Sequence, residues 1–176
     1  MSLITQSCDR LLTCIQNNFP WDAERFQTGL SREEIEQKVK ELPFSLPEEV
    51  YELCQWRNGN PSGNFLIPGK LAGCLSYFWF MMSLEEAVNT YFLRGDIASR
   101  PHKDGGYITW DSHYFPIFES LHEGLFHVIE IGKETSSIFL FDPSEGEFER
   151  LCDNLTELLT IEADFFEEQS TEKSWL

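Results

Sequence analysis

The sequence predicts an α+β fold, a single domain in which an antiparallel sheet of five or six strands is covered by N-terminal helices and a C-terminal helix. Three observations predict it. Apolar residues recur at helical spacing up to Asn58-Gly59, short aromatic or β-branched runs separated by turn residues then take over, and a helical stripe returns after Asn154. With 176 residues, 41% of them hydrophobic and 14% aromatic, the chain can bury one ordinary core and is too apolar for long disorder.

Ile4, Cys8, Leu11, Leu12 and Ile15 define a first helix, which Asn17-Asn18 and Pro20 end. Ser31 and Glu34 have capping-box spacing, with Ile35, Val39 and Leu42 lining one face of a short second helix. Pro47 opens a third helix at its first turn, where a missing N–H costs nothing. Val50, Leu53 and Cys54 continue that helix, and Asn58-Gly59 offers a left-handed residue to close it.

Strands are expected at Phe65–Ile67 and Tyr77–Phe80. A helix capped by Ser83 and Glu86 follows, runs through Ala87, Val88 and Tyr91, and is expected to stop near Gly95. Residues 95–106 read as an exposed loop. Four strands come next, at Tyr107–Trp110, Tyr114–Phe118, Phe126–Ile131 and Ser137–Phe141, with a fifth at Phe148–Cys152. The turns at Gly132-Lys133-Glu134 and Asp142–Gly146 are hairpin-like, which favours antiparallel pairing. Asn154 and Glu157 cap a last helix carrying Leu155, Leu158, Leu159 and Phe165. No repeat or domain-dividing linker is visible. The organisation expected is a helix and connection over residues 1–30, packed with a body over 31–166, and an acidic tail over 167–176.

Charge narrows the function. Thirteen Lys and Arg against thirty Asp and Glu give a net charge of −17. The excess is uneven, with net −5 over residues 1–118 and −12 over 119–176. Phosphate backbones and anionic leaflets attract cationic surfaces, so nucleic acid and membrane are excluded as partners and a basic protein is the natural one. The longest apolar run, Tyr77–Met82, is six residues against the roughly 20 of a spanning helix. No basic residue precedes Arg10, so no secretory leader is expected and the cytoplasm is the expected location. Cys8, Cys14, Cys54, Cys74 and Cys152 are scattered and form no CxxC pair, which reads as reduced, buried thiols rather than disulfides or a zinc site.

One cluster has the residue types of an enzyme. Asp96, His102, Asp104, Asp111 and His113 fall in one loop-to-strand region and could bind a divalent metal or act as acid and base. That defines one alternative, a small metal-dependent hydrolase using Asp111, His113 and His102. Against it, His102 and Asp104 sit in a glycine-rich surface loop, and Asp111-Ser112-His113 lacks the helical spacing that preorganises two ligands. There is no GxSxG elbow, no nucleophilic Cys signature and no phosphate-binding glycine loop. His122 and His127 read as structural or surface residues. The expectation is therefore no catalytic residue, no metal and no cofactor.

Several motifs in order resemble the SMI1/KNR4 (SUKH) superfamily. They are Leu46-Pro47-Glu48-Glu49-Val50-Tyr51-Glu52-Leu53 ending in Asn58-Gly59, the helix start Ser83-Leu84-Glu85-Glu86-Ala87, and Trp110 followed by Tyr114-Phe115-Pro116-Ile117-Phe118. Asn154–Leu159 resembles the terminal helix of that superfamily. The likeness spans roughly residues 31–166. It departs from the pattern at Glu119–Gly124, where the usual glycine-rich, Asp-containing turn keeps one glycine and no Asp. The resemblance implies a compact, cofactor-free α+β domain used for protein contact. Bacterial members are commonly immunity proteins against polymorphic toxins, many of them nucleases, and fungal members are regulatory scaffolds. The expected function is thus a non-enzymatic immunity protein that occludes a basic, nuclease-type toxin with its acidic surface, and a regulatory scaffold is the alternative. The expected contact face is an exposed edge around Trp110, Asp111, His113, Glu119 and Glu123, where aromatic and acidic residues interleave. Trp56 is a second candidate, with packing as its expected role. Oligomeric state is left open by the sequence.

Overall fold

A computed structural model describes residues 2–18, 24–59, 67–69, 77–98, 110–120, 124–132 and 136–172. Among these residues the helices are α1 (Leu3–Asn18), α2 (Arg32–Val39), α3 (Glu48–Trp56), α4 (Leu84–Ala98) and α5 (Leu155–Glu172). The strands are β1 (Ile67–Gly69), β2 (Tyr77–Met81), β3 (Tyr114–Ser120), β4 (Phe126–Glu130), β5 (Ile138–Asp142) and β6 (Glu147–Cys152). They form one antiparallel sheet in the order β1-β2-β3-β4-β5-β6, with α4 inserted between β2 and β3. The α+β architecture is the one expected.

Local hydrogen bonds explain where the helices begin. At α2, Glu34 N–H donates to Ser31 Oγ (3.2 Å) and Ser31 N–H to Glu34 Oε2 (2.7 Å), a complete capping box. Ser83 and Glu86 repeat it at α4, with 3.3 and 2.9 Å. At α5, Glu157 N–H donates to Asn154 Oδ1 (2.8 Å), while the Glu157 carboxylate reaches Asp153 N–H instead. Pro47 takes the position just before the first turn of α3, one step earlier than expected.

The second glutamate of the Leu-Pro-Glu-Glu motif has a distant task. Glu49 accepts from Leu155 N–H (3.2 Å), Thr156 N–H (3.3 Å) and Thr156 Oγ1 (2.8 Å), so α3 caps α5 across more than a hundred residues. Glu48 instead pairs with Arg32 at 2.7 Å. Glu49→Ala is expected to lower stability by about 1–2 kcal/mol in urea denaturation, and Glu49→Gln by less because its amide oxygen still accepts.

Asn58-Gly59 also differs from its expected role. Helix α3 ends at Trp56 and Arg57 is already extended, so the left-handed Gly59 (φ 73°) does not close that helix. Asn58 is buried, and its Oδ1 accepts from Leu84 N–H at 3.0 Å, helping to cap α4. Gly95 does not stop α4, which continues to Ala98. The position faces open space, and an exposed helical glycine costs only about 1 kcal/mol, too little to break a helix packed on β3.

Strand limits lie close to those expected. Of the strand expected at Tyr107–Trp110, only Trp110 is described, and it is irregular. Phe65 and Leu66 also lie outside the described residues. Pro116 is tolerated in the interior strand β3 because the register with β4 shifts between Pro116 and Phe118, and a bulge needs no donor there.

Helices α1 and α5 lie side by side. Ser7 Oγ meets Thr160 Oγ1 (3.1 Å), and Arg10 binds Glu167 bidentately (2.9 and 2.6 Å) and Asp164 at 2.6 Å. These contacts carry α5 to Glu172, past the Phe166 at which a tail was expected. The core includes Trp79, Phe115, Phe126, Phe141 and Phe166, and the described Cys8, Cys14, Cys54 and Cys152 are buried thiols that form no disulfide.

Candidate partner-binding surface

The chain enters β3 through a turn built by Asp111. Its Oδ1 accepts from His113 N–H (2.9 Å) and contacts His113 Nδ1 (2.6 Å), and Tyr114 N–H donates to Asp111 O (3.1 Å). Partial burial opposes ionisation of Asp111, but the His113 backbone and ring hydrogen bonds outweigh it and hold the carboxyl below its usual range. Both side chains are exposed. Helix α4 braces the turn, with Tyr91 Oη donating to Ser112 O at 3.3 Å.

Trp110 turns inward from this corner. It meets Phe141 edge-on (5.2 Å) and lies 6.5 Å from Phe148, within a group of rings that includes Tyr114 stacked on Phe148 at 4.4 Å. The half-buried Trp110 thus joins the exposed Asp111–His113 turn to β5 and β6.

Glu119 is placed differently. Strand β3 lies inside the sheet between β2 and β4, so it offers no sheet edge. Glu119 is half-buried, opposite Phe80 on β2 and Phe126 on β4. Burial raises its pKa, the nearby Arg94 works against that, and Glu86 adds to it. Arg94 lies 4.9 Å above the Phe126 ring. Glu119 therefore belongs to the seam between α4 and the sheet. Glu123 and His102 lie outside the described residues. Trp56 packs as expected, its Nε1 donating to Asp9 (2.8 Å) and its ring 5.6 Å from Phe26. Among the described residues no three His, Cys, Asp or Glu side chains are grouped to hold a metal ion.

Among the described residues β6 is one of the two terminal strands of the sheet, at the opposite end from β1, and it is acidic. Glu147 and Glu149 are exposed on the strand and Glu145 on the turn before it. None of the three has an ion-pair partner among the described residues. The turn is held by Asp142 Oδ1, which accepts from Ser144 N–H (2.7 Å) and Oγ (2.6 Å), with Gly146 at φ 71°. The described cations Arg10, Arg32, Lys38 and Arg150 are already paired with carboxylates. Arg150 of β6 is itself paired with Asp153, so among the described residues Glu145, Glu147 and Glu149 stand at solvent without a cationic partner. Sequence patterning places acids on strand edges and turns but does not order the strands, so it does not distinguish the interior Glu119 of β3 from the glutamates of the terminal strand β6.

The profile of the SMI1 / KNR4 family (SUKH-1) matches residues 29–161, which covers the body from the approach to α2 into α5. The chain belongs to the SMI1/KNR4 (SUKH-1) family. Domains of the SUKH-1 family are in general non-catalytic and protein-binding, and they are commonly immunity-related. No curated protein matches the chain. No described helix of this SUKH-1 chain is long and apolar enough to cross a membrane.

The fold brings together two buried groups that no sequence pattern links. His127 on β4 is buried, stacked on Trp79 at 3.7 Å, and burial drives its pKa down to about 3. Glu162 on α5 is equally buried, and burial raises its pKa to about 8. The sequence did hold a signal for Glu162, since it falls three and four residues after Leu159 and Leu158 and four before Phe166, on the apolar stripe of α5.

Proposed function

We propose that this SUKH-1 chain is a non-enzymatic immunity protein that binds a basic, nuclease-type toxin domain and blocks its cleft with an acidic surface. One observation carries the reading: the exposed carboxylates of the terminal strand β6 and its turn, which have no cationic partner among the described residues, in a chain of net charge −17. A nuclease cleft is cationic because it must hold phosphates, and an acidic protein competes for that ground while long-range attraction speeds encounter. The Trp110–His113 corner adjoins β6 through Phe148 and supplies aromatic area beside the charge. The contact face is therefore assigned to β6, its preceding turn and Trp110, Asp111 and His113. Glu119 serves packing and is left out. The proposed location is the cytoplasm, where such a toxin would act.

Co-expression with the product of the adjacent open reading frame tests the proposal. The expected result is a complex recovered at low salt, weakened at high salt, and growth protected from the toxin. A toxin-like neighbour that neither binds the chain nor is neutralised by it would contradict the proposal.

A further inference from the structure

The structure carries an inference independent of the toxin-binding reading. Between α5 and the sheet lies a cavity of about 10 Å³, walled by Leu11 of α1, Trp79, Phe118, His127 and Glu162. Glu162 is 4% exposed and His127 2%. Neither Glu162 oxygen nor His127 Nε2 has a hydrogen-bond partner among the described residues. Two buried polar groups so arranged make the docking of α5 costly in one protonation state and tolerable in the other.

We propose that Glu162 and His127 form a protonation-sensitive latch, in which the α1 and α5 helices stay docked on the sheet while the carboxyl keeps its proton and loosen when it is lost. The cavity sits where such a latch must act, since α1 and α5 pack on each other and Leu11 of α1 reaches the same space. Other titratable groups do not compete. Elements packed on α5 otherwise bury thiols, with Cys8 and Cys14 from α1, Cys54 from α3 and Cys152 from β6, all raised by burial and neutral through the relevant range. β1 brings no titratable residue. The charged Arg10 engages the exposed Asp164 and Glu167, and Glu49 engages the first turn of α5.

The direction follows from proton linkage. Glu162 rises from 4.5 to about 8 when docked, so between these values the docked state holds a proton that the released state gives up, and rising pH weakens docking. His127 falls from 6.5 to about 3, so acid weakens docking below 6.5. The two slopes cancel between about 4.5 and 6.5. Above 6.5 the Glu162 contribution outweighs that of His127, which fades by about pH 7.5.

Hydrogen exchange of the full chain, corrected for intrinsic amide rates, tests the latch. Opening of α1 and α5 amides is expected to rise about fourfold between pH 6.5 and 7.5, while β3 and β4 amides change little. Glu162→Gln and, should that variant fold poorly, Glu162→Met are expected to abolish the rise, leaving a fall of less than about twofold from His127. A wild-type chain without the rise, variants that keep it, or β3 and β4 amides opening in step with α5 would each overturn the latch.

Discussion

Gly59→Ala is expected to lower the stability of the chain by about 3–5 kcal/mol, a third or more of what a domain of this size commonly has. Gly59 sits at φ 73°, where a side chain costs about 1–2 kcal/mol. An added Cβ would also lie 2.4 Å from Ser83 N and 2.6 Å from Met82 C, backbone atoms that cannot swing aside. Relief requires moving the residue that joins three elements. Gly59 O accepts from Gln27 N–H at 3.0 Å, Asn58 N–H donates to Gln27 O at 3.3 Å, and Asn58 Oδ1 caps α4. Losing that cap adds about 1–2 kcal/mol. Gly95→Ala is the control, because nothing lies within 4 Å of its Cβ and the helical site favours alanine by up to about 1 kcal/mol. Urea denaturation of both variants measures the difference, and a Gly59→Ala chain within 1 kcal/mol of wild type would remove this account of the junction.

How much the sequence revealed depended on the range of the interaction. The Ser31/Glu34 and Ser83/Glu86 boxes were legible because donor and acceptor lie three residues apart, and their hydrogen bonds are present. Strand positions were legible from turn residues and aromatic runs. Glu49 was not, because its partners are Leu155 and Thr156 and no local pattern links them. The interior position of Glu119 was not legible, because an acid on a strand reads the same in an interior strand as at an edge until strand order is known. The extension of α5 to Glu172 rests on Arg10, which pairs across the fold with Asp164 and Glu167.

The same distinction sets the second large expected effect. Glu147 and Glu149 are exposed, lack cationic partners among the described residues and flank Phe148, whose ring is held by Phe141 at 4.5 Å and Tyr114 at 4.4 Å. Reversing both charges removes four units of negative charge relative to wild type without touching the core, so the fold should persist while steering weakens. The double variant Glu147→Lys/Glu149→Lys is expected to associate about tenfold more slowly with a cationic partner at low salt. Glu119→Gln, by contrast, is expected to act on packing between α4 and β3 and to leave the association rate near wild type.

Association rate against ionic strength, followed by stopped flow with the purified product of the adjacent gene, tests the central claim most directly. An acidic face that greets a basic toxin predicts a wild-type rate falling at least about tenfold between 50 and 500 mM salt, and a shallower fall in the Glu147→Lys/Glu149→Lys variant. A rate indifferent to salt, or one unchanged by the double reversal, would contradict it.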